Sequence, residues 1–305
     1  MKTCLVAGGA GFIGSWLCKD LIEKDYRVVC LDNMITGHRE NIDIDSDNFS
    51  FIDHNITNSI TFDEKIDFIF HLASPASPVH YQKHPVETLL ANSVGTMNLL
   101  KLAEKNNASF LFASSSEAYG DPKEHPQKET YWGNVNPNGP RACYDEGKRF
   151  GEALVSSFPV DWRIVRIFNT YGPFMNKNDG RVVPNFINQA LENKPITVYG
   201  DGKQTRSFCY VSDMVEGLEK AMFSDKARGQ VINLGNPSEI TMLELADIII
   251  ELTGSKSELV FKNLPVDDPT RRKPDITKAK DLLCWTPNVN IHEGMKNTVD
   301  YFRVI

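Results

Sequence analysis

Tyr144 and Lys148 stand four residues apart in the stretch Arg141-Ala-Cys-Tyr-Asp-Glu-Gly-Lys148, so on a helix a phenol and an ammonium share one face. An ammonium about 4 Å from a phenol, at an intermediate effective dielectric, is worth about 4 kcal/mol, enough to draw a tyrosine pKa from about 10 toward neutrality. Such a tyrosine could take a proton from a hydroxyl group. The same spacing occurs on ordinary exposed helices, so the pair gains meaning only beside a hydride acceptor.

Thr3-Cys-Leu-Val-Ala7 reads as a short buried strand that runs into Gly8-Gly-Ala-Gly-Phe-Ile-Gly14 and an apolar-periodic helix. Gly9-x-Gly11-x-x-Gly14 thus sits between strand and helix, where the helix amino terminus can hold a pyrophosphate. A second strand, Val28–Leu31, ends in Asp32, whose carboxylate can bond the adenosine ribose hydroxyls and would repel a 2′-phosphate. NAD rather than NADP is the expected cofactor. A purely structural glycine turn followed by a strand-end aspartate is the plainer alternative.

Phe110-Leu-Phe-Ala113 ends in Ser114-Ser-Ser-Glu-Ala-Tyr-Gly120, hydroxyls and a carboxylate at the carboxyl end of a parallel strand, where ligands bind such sheets. A serine there can hydrogen-bond a reacting hydroxyl while Glu117 acts as general acid or base; a solvated serine-rich turn is the alternative. Cations recur in Asp201-Gly-Lys-Gln-Thr-Arg206, in Asp268-Pro-Thr-Arg-Arg-Lys-Pro274 and at Arg181. Guanidinium groups grip phosphates and carboxylates bidentately, so together they imply an anionic substrate, although any one of them could be surface charge. Asn169 and Asn185 could bond a sugar or base, or be turn residues.

These residues must be positioned by elements. Strands are predicted at Phe49–Ile52, Phe68–Leu72, Phe110–Ala113, Ile164–Phe168 and Val231–Leu234, and helices at Phe12–Lys24, Val86–Glu104, Tyr144–Phe158 and Arg181–Glu192. The alternation predicts an α/β fold, a doubly wound parallel (Rossmann) sheet with a smaller, discontinuous α/β substrate-binding lobe. The NAD-binding unit would span residues 1–170, with 207–234 returning to it, and the substrate-binding lobe 171–206 and 235–305. Thr241-x-x-Glu244 is a capping box ahead of a structural helix. Between Gly120 and Cys143 the pattern dissolves into a loop long enough to be functional.

The 305 residues carry a net charge of −7, which argues against nucleic acid as a partner. Met1-Lys2 leads straight into the first strand, and no apolar run approaches membrane-spanning length. Six cysteines without Cys-x-x-Cys spacing read as reduced residues of a cytoplasmic protein. His71 reads as a strand-end histidine, and no metal site is expected.

With Tyr144-x-x-x-Lys148, the glycine pattern and the serine cluster in place, the chain resembles the extended short-chain dehydrogenase/reductase superfamily, and within it the UDP-glucuronate decarboxylase (UDP-xylose synthase) family. The segments that carry the resemblance are His71-Leu-Ala-Ser-Pro-Ala-Ser-Pro78, Asn138–Arg149, Phe168-Asn-Thr-Tyr-Gly-Pro173, Asp179-Gly-Arg-Val-Val183, Val198–Arg206 and Arg272-Lys-Pro-Asp-Ile276. The resemblance implies NAD-dependent decarboxylation of UDP-glucuronate to UDP-xylose through a 4-keto intermediate, with internal recycling of NADH. It implies Tyr144, Lys148, Glu117, Ser115, Ser116 and Arg272 as catalytic residues. Gly8, Gly11, Phe12, Ile13, Gly14, Asp32, Asn33, Thr36, Asn55, Ile56, Leu72 and Ala73, with Tyr144 and Lys148, would hold tightly bound NAD. Arg141, Asn169, Arg181, Asn185, Tyr199, Gln204, Arg206 and Arg272 would hold the substrate, Arg181, Tyr199 and Arg206 at its UDP end. A homodimer through the helices Val86–Glu104 and Tyr144–Phe158 is also implied.

Three departures from the family stand out: Ser115 replaces a threonine, Phe174 an arginine, and His54-Asn55-Ile56 a His-Asp-Val. An NDP-sugar 4,6-dehydratase and a 4-epimerase are alternatives on the same fold. An NAD-sensing or scaffold protein is the non-enzymatic one, against which both Tyr144 and Lys148 speak.

Overall fold

The computed structural model describes residues 1–264 and 271–305; the Asp268-Pro-Thr part of the second cationic loop lies outside the described residues. The strands are β1 (Thr3–Ala7), β2 (Arg27–Asp32), β3 (Phe49–Asp53), β4 (Phe68–His71), β5 (Ser109–Ser115), β6 (Trp162–Ile167), β7 (Thr170–Tyr171), β8 (Ile196–Tyr199), β9 (Thr205–Ser207), β10 (Cys209–Tyr210), β11 (Val231–Leu234), β12 (Glu239–Thr241), β13 (Leu259–Lys262) and β14 (Arg271–Arg272). Between them run α1 (Phe12–Glu23), α2 (Pro78–Lys83), α3 (Pro85–Leu90), α4 (Thr96–Asn106), α5 (Ala142–Ser156), α6 (Val182–Leu191), α7 (Val211–Phe223), α8 (Met242–Thr253), α9 (Thr277–Leu283) and α10 (Ile291–Phe302).

Seven strands form one parallel sheet in the order β11-β6-β5-β4-β1-β2-β3. Every residue of β1 is buried, as a central strand covered on both faces requires. Its side chains alternate between two apolar clusters: Cys4 and Val6 belong to one, Leu5 and Ala7 to the other. The strand order reverses between β1 and β4, which opens a crevice at the carboxyl ends of the strands.

The predicted helix over Val86–Glu104 is divided. A wide five-residue turn, Ala91–Gly95, separates α3 from α4. Within it the Ser93 hydroxyl donates to Leu89 O at 2.7 Å, and Thr96 Oγ1 donates to Asn92 O at 2.9 Å. These hydroxyls compete with backbone amides for the same carbonyls. Thr241 and Glu244 form the expected reciprocal cap of α8.

A three-stranded sheet, β12-β9-β14, sets Arg272 beside Arg206 in register. The long segment before α5 is irregular but tied down. Gly120 pairs with Asn134, and Gln127 bonds the backbone of Lys273 and Asp275 at 2.9 and 2.8 Å.

Candidate active site

The site begins where α5 crosses the end of β5. Gly151 allows the approach, because a Cβ there would lie 2.4 Å from Phe112 Cζ. The close contact buries Lys148 to 3 % exposure and Tyr144 to 6 %. Lys148 Nζ donates to Ala113 O at 2.8 Å and lies 5.6 Å from the centre of the Tyr144 ring. Burial lowers the lysine to about 7, partly offset by the Glu152 carboxylate one turn on. Burial likewise raises Tyr144 to about 12, while a hydrogen bond with Ser115 pulls it down.

The expectation that the lysine alone brings the phenol toward neutrality is therefore corrected. The ammonium points at a carbonyl, and desolvation outweighs charge–charge attraction in this pair. Tyr81 of α2, which the sequence did not single out, stacks on Tyr144 with centroids 5.2 Å apart and planes 8° from parallel.

The glycine turn fits a dinucleotide on its own geometry. Gly8 has φ +83°, and a Cβ on it would lie 2.6 Å from Ala73 N; one on Gly14 would lie 2.1 Å from Gly8 O. Only glycine lets the turn, α1 and the end of β4 meet so closely. No side chain caps the amino terminus of α1, which leaves its amides for an anion at the cavity wall lined by Gly11, Phe12 and Ile13.

Glu117, also in the cavity wall, is paired with two arginines. Arg141 binds it directly, and Arg272 Nη2 donates to its Oε2 at 3.1 Å. Arg272 is 2 % exposed and also donates to the carbonyls of Ser116 and Gly120. Against the cost of burial, Arg272 first and then Arg141 hold the Glu117 carboxyl below its usual range. Arg181 is clasped by Asp179, with Nη2 to Oδ2 at 2.8 Å, and its charge also reaches Tyr144.

One cavity of about 640 Å³ joins these walls. It is lined by Gly8, Gly11, Phe12, Ile13, Gly14, Thr36, Leu72, Ser115, Ser116, Glu117, Arg141, Tyr144, Lys148, Asn169, Arg181, Asn185, Tyr199, Gln204, Arg206 and Arg272, all of them sequence candidates. Five candidates lie outside that lining. Asp32 spends its oxygens on the amides of Ala10 and Met34 at 3.1 and 2.9 Å, and Asn33 caps its own turn by accepting from Ile35 N. Asn55 accepts from Thr57 N and Oγ1, Ile56 is buried against Gly95, and Ala73 offers its backbone to Gly8.

Residues 4–235 match the NAD dependent epimerase/dehydratase family. The chain belongs to that family. UDP-glucuronic acid decarboxylase 1 of Arabidopsis thaliana is 51 % identical to it over 305 residues, covering 98 % of this chain and 69 % of the relative. UDP-glucuronic acid decarboxylase 1 of Xenopus tropicalis is 49 % identical over 308 residues, covering 99 % and 72 %. Among solved structures, UDP-glucuronic acid 4-epimerase from Bacillus cereus in complex with UDP-glucuronic acid and NAD superimposes with a TM-score of 0.88 at 29 % identity, covering 99 % of both chains.

As in the rest of the NAD dependent epimerase/dehydratase family, NAD is the cofactor of this chain. The departures from the decarboxylase pattern have local accounts. Ser115 keeps the hydroxyl, which accepts from Glu117 N at 3.2 Å. Phe174 stands with φ +71° and packs edge-on to Trp16 and Tyr301, with Lys19 Nζ 3.9 Å from its ring centre. Sequence reading missed Tyr81, Asp145, Glu152 and Asp179. Asp145 and Glu152 stand four residues from Arg141 and Lys148 on the same helix, a spacing that could have found them; Asp179 stands two residues before Arg181 in a turn, where helical spacing gives no signal.

Proposed function

We propose that this protein decarboxylates UDP-glucuronate to UDP-xylose. The observation that carries the reading is its identity, at about half of all positions and along the whole chain, with UDP-glucuronic acid decarboxylases; the site geometry is consistent with that chemistry. When bound, NAD supplies the hydride acceptor for C4 of the sugar and later returns the hydride, so there is no net redox change.

Tyr144 takes the C4 hydroxyl proton, with Ser115 bonded to the phenol and Ser116 orienting the sugar. Lys148, fixed on Ala113 O, holds positive charge beneath the phenolate and the ribose. The ketone so formed stands β to the C6 carboxylate. Carbon dioxide leaves as its bonding electrons flow into an enolate, which protonated Tyr144 stabilises through a hydrogen bond. Glu117 delivers a proton to C5 through water, and Arg272 and Arg141, both bound to Glu117, face the carboxylate. Arg206, Tyr199 and Arg181 serve the UDP end, with Asn169, Asn185 and Gln204 bonding sugar and base. The NAD unit is formed by residues 1–170 with 207–234, and the sugar-nucleotide lobe by 171–206 and 235–305.

Among the described residues no helix is long and apolar enough to cross a membrane. Six free cysteines support a cytoplasmic setting. A homodimer is supported by Val86, Leu90 and Val94, exposed at four-residue intervals, together with Leu89 and Phe150.

The test is incubation of the purified, NAD-loaded protein with UDP-glucuronate, following carbon dioxide and the sugar by NMR, with UDP-glucose, dTDP-glucose and GDP-mannose alongside. Carbon dioxide and UDP-xylose from UDP-glucuronate alone are expected. A 4-epimer without carbon dioxide would replace this reading with the epimerase one.

A further inference from the structure

Arg141 is held between two carboxylates. Glu117 binds it directly, and on its other side Asp145, one helical turn along α5, brings Oδ2 to 3.8 Å from Arg141 Nε. With Arg272 on Glu117, the four side chains make a connected row of two guanidiniums and two carboxylates. The carboxylates are unequally served. Glu117 takes hydrogen bonds from both arginines, whereas Asp145 is 5 % exposed and its Oδ1 is buried with no partner. A second anion in so dry a place is costly unless fully paired. Of the two acids, Asp145 is thus the one whose proton is easily kept.

The row's net charge follows from that proton. With Asp145 neutral, two guanidiniums face one carboxylate and the row is positive by one; with Asp145 ionised it is neutral. Arg141, Glu117 and Arg272 line the cavity, so this charge is presented to the ligand.

We propose that Asp145 is a specificity-determining positioning residue: through Arg141 it sets the charge of the Arg141–Glu117–Arg272 row, and its protonated form gives the site its preference for a sugar that carries a carboxylate. The proposal rests on the decarboxylase reading above. Burial, followed by the neighbouring Glu117 charge, raises Asp145 to about 7, with Arg141 and Arg272 opposing and Glu146 of the same helix adding to the rise. The other titratable groups that act with it stay uncharged near neutrality, the Cys143 thiol of the same helix among them, raised first by burial and also by the Asp145 charge. Burial raises Tyr81 of α2 well above the ordinary phenol range, and Tyr144 stands at about 12. Asn92, from the turn before α4, packs on α5 at Gly147 without charge.

The sign is definite: affinity for a carboxylated sugar falls as pH rises and Asp145 ionises, while affinity for the same nucleotide sugar lacking the carboxylate does not. The experiment uses NAD-loaded Tyr144→Phe protein, which binds without turning over, and measures Kd by calorimetry for UDP-glucuronate and UDP-glucose at about pH 6 and about pH 8. UDP-glucuronate is expected to weaken about tenfold across that range, and UDP-glucose by less than about twofold. Asp145→Asn, added to this background, is expected to remove most of that fall, leaving only the shallower slope that Lys148, lowered to about 7, imposes on both ligands. Equal pH dependence for the two ligands, or a slope unchanged in Asp145→Asn, overturns the proposal. Should that variant not fold, KM for UDP-glucuronate against the inhibition constant of UDP-glucose, whose phosphates do not titrate in this window, measured over the same pH range in the unaltered enzyme, decides alone. Carbon dioxide release with pH-independent binding sinks only this inference, whereas absence of carbon dioxide sinks the decarboxylase reading beneath it.

Discussion

Lys148 is a cation held almost entirely out of water in the site. Its ammonium is buried, bonded to one carbonyl and lowered to about 7, so its charge is only partly retained at neutral pH. The group that opposes this loss is Glu152, four residues on, whose own oxygens are occupied by Arg166 at 2.7 and 2.9 Å and by the Ser114 hydroxyl. Glu152→Gln removes a charge that raises Lys148, so the lysine titrates at lower pH and the charged form is lost earlier as pH rises. The alkaline limb of kcat is expected to move down by about one pH unit, a loss of about tenfold at pH 8.5 and much less at pH 6.5. A kcat–pH profile measures it. A uniform fall at every pH would mean that Glu152 serves only to anchor Arg166.

At the scale of elements, α5 is the part on which everything else depends, since Tyr144, Lys148 and Glu152 follow one another at successive turns along it. Its distance from β5 is fixed by Gly151, where a Cβ would meet the Phe112 ring at 2.4 Å and 2.9 Å. Lys148 Nζ lies 5.0 Å from the centre of that same ring. Gly151→Ala must push the helix or the ring aside, at about 1–3 kcal/mol. A lower Tm is expected, together with a kcat that falls further than UDP affinity, because the base moves while the UDP-end residues do not. Thermal denaturation alongside kinetics tests this, and an unchanged kcat at lowered Tm would show that the helix keeps its register.

How much of this was legible in the sequence depends on the range of the interaction. The seven sheet strands were readable because buried parallel strands are short apolar runs, and the glycine turn because its spacing encodes a clash. The division of Val86–Glu104 was not, since hydroxyl back-bonding at Ser93 and Thr96 leaves apolar periodicity intact. The Tyr144 pKa was misjudged because four-residue spacing gives proximity but neither burial nor the direction in which an ammonium points. Of the five cofactor candidates outside the cavity lining, Asp32, Asn33 and Asn55 have side-chain oxygens bonded to nearby amides, Ile56 is packed against Gly95 and Ala73 lies against Gly8, contacts that sequence spacing does not reveal.

On the scale of the whole molecule, the catalytic helix has two sides. One presents Tyr144 and Lys148 to the cavity; on the other Phe150 is 54 % exposed. The neighbouring helix α3 and the turn after it expose Val86, Leu90 and Val94 at 60 %, 40 % and 42 %. Four-residue spacing puts these three on one stripe, and a stripe of valine and leucine facing water beside an exposed phenylalanine is the kind of surface a second copy covers. In the proposed homodimer the support for α5 comes from outside the subunit as well as from β5. Val94→Asp places a charge in that stripe at an exposed position, so the subunit itself should fold. Sedimentation is expected to show about half the mass of the unaltered protein, in line with the several kcal/mol that an unpaired charge costs in an apolar contact. Because α5 would lose its outer support, kcat should fall with the mass while NAD remains bound. A protein that stays the same size after this change, with full activity, would place the partner face elsewhere and leave the apolar stripe of α3 without this role.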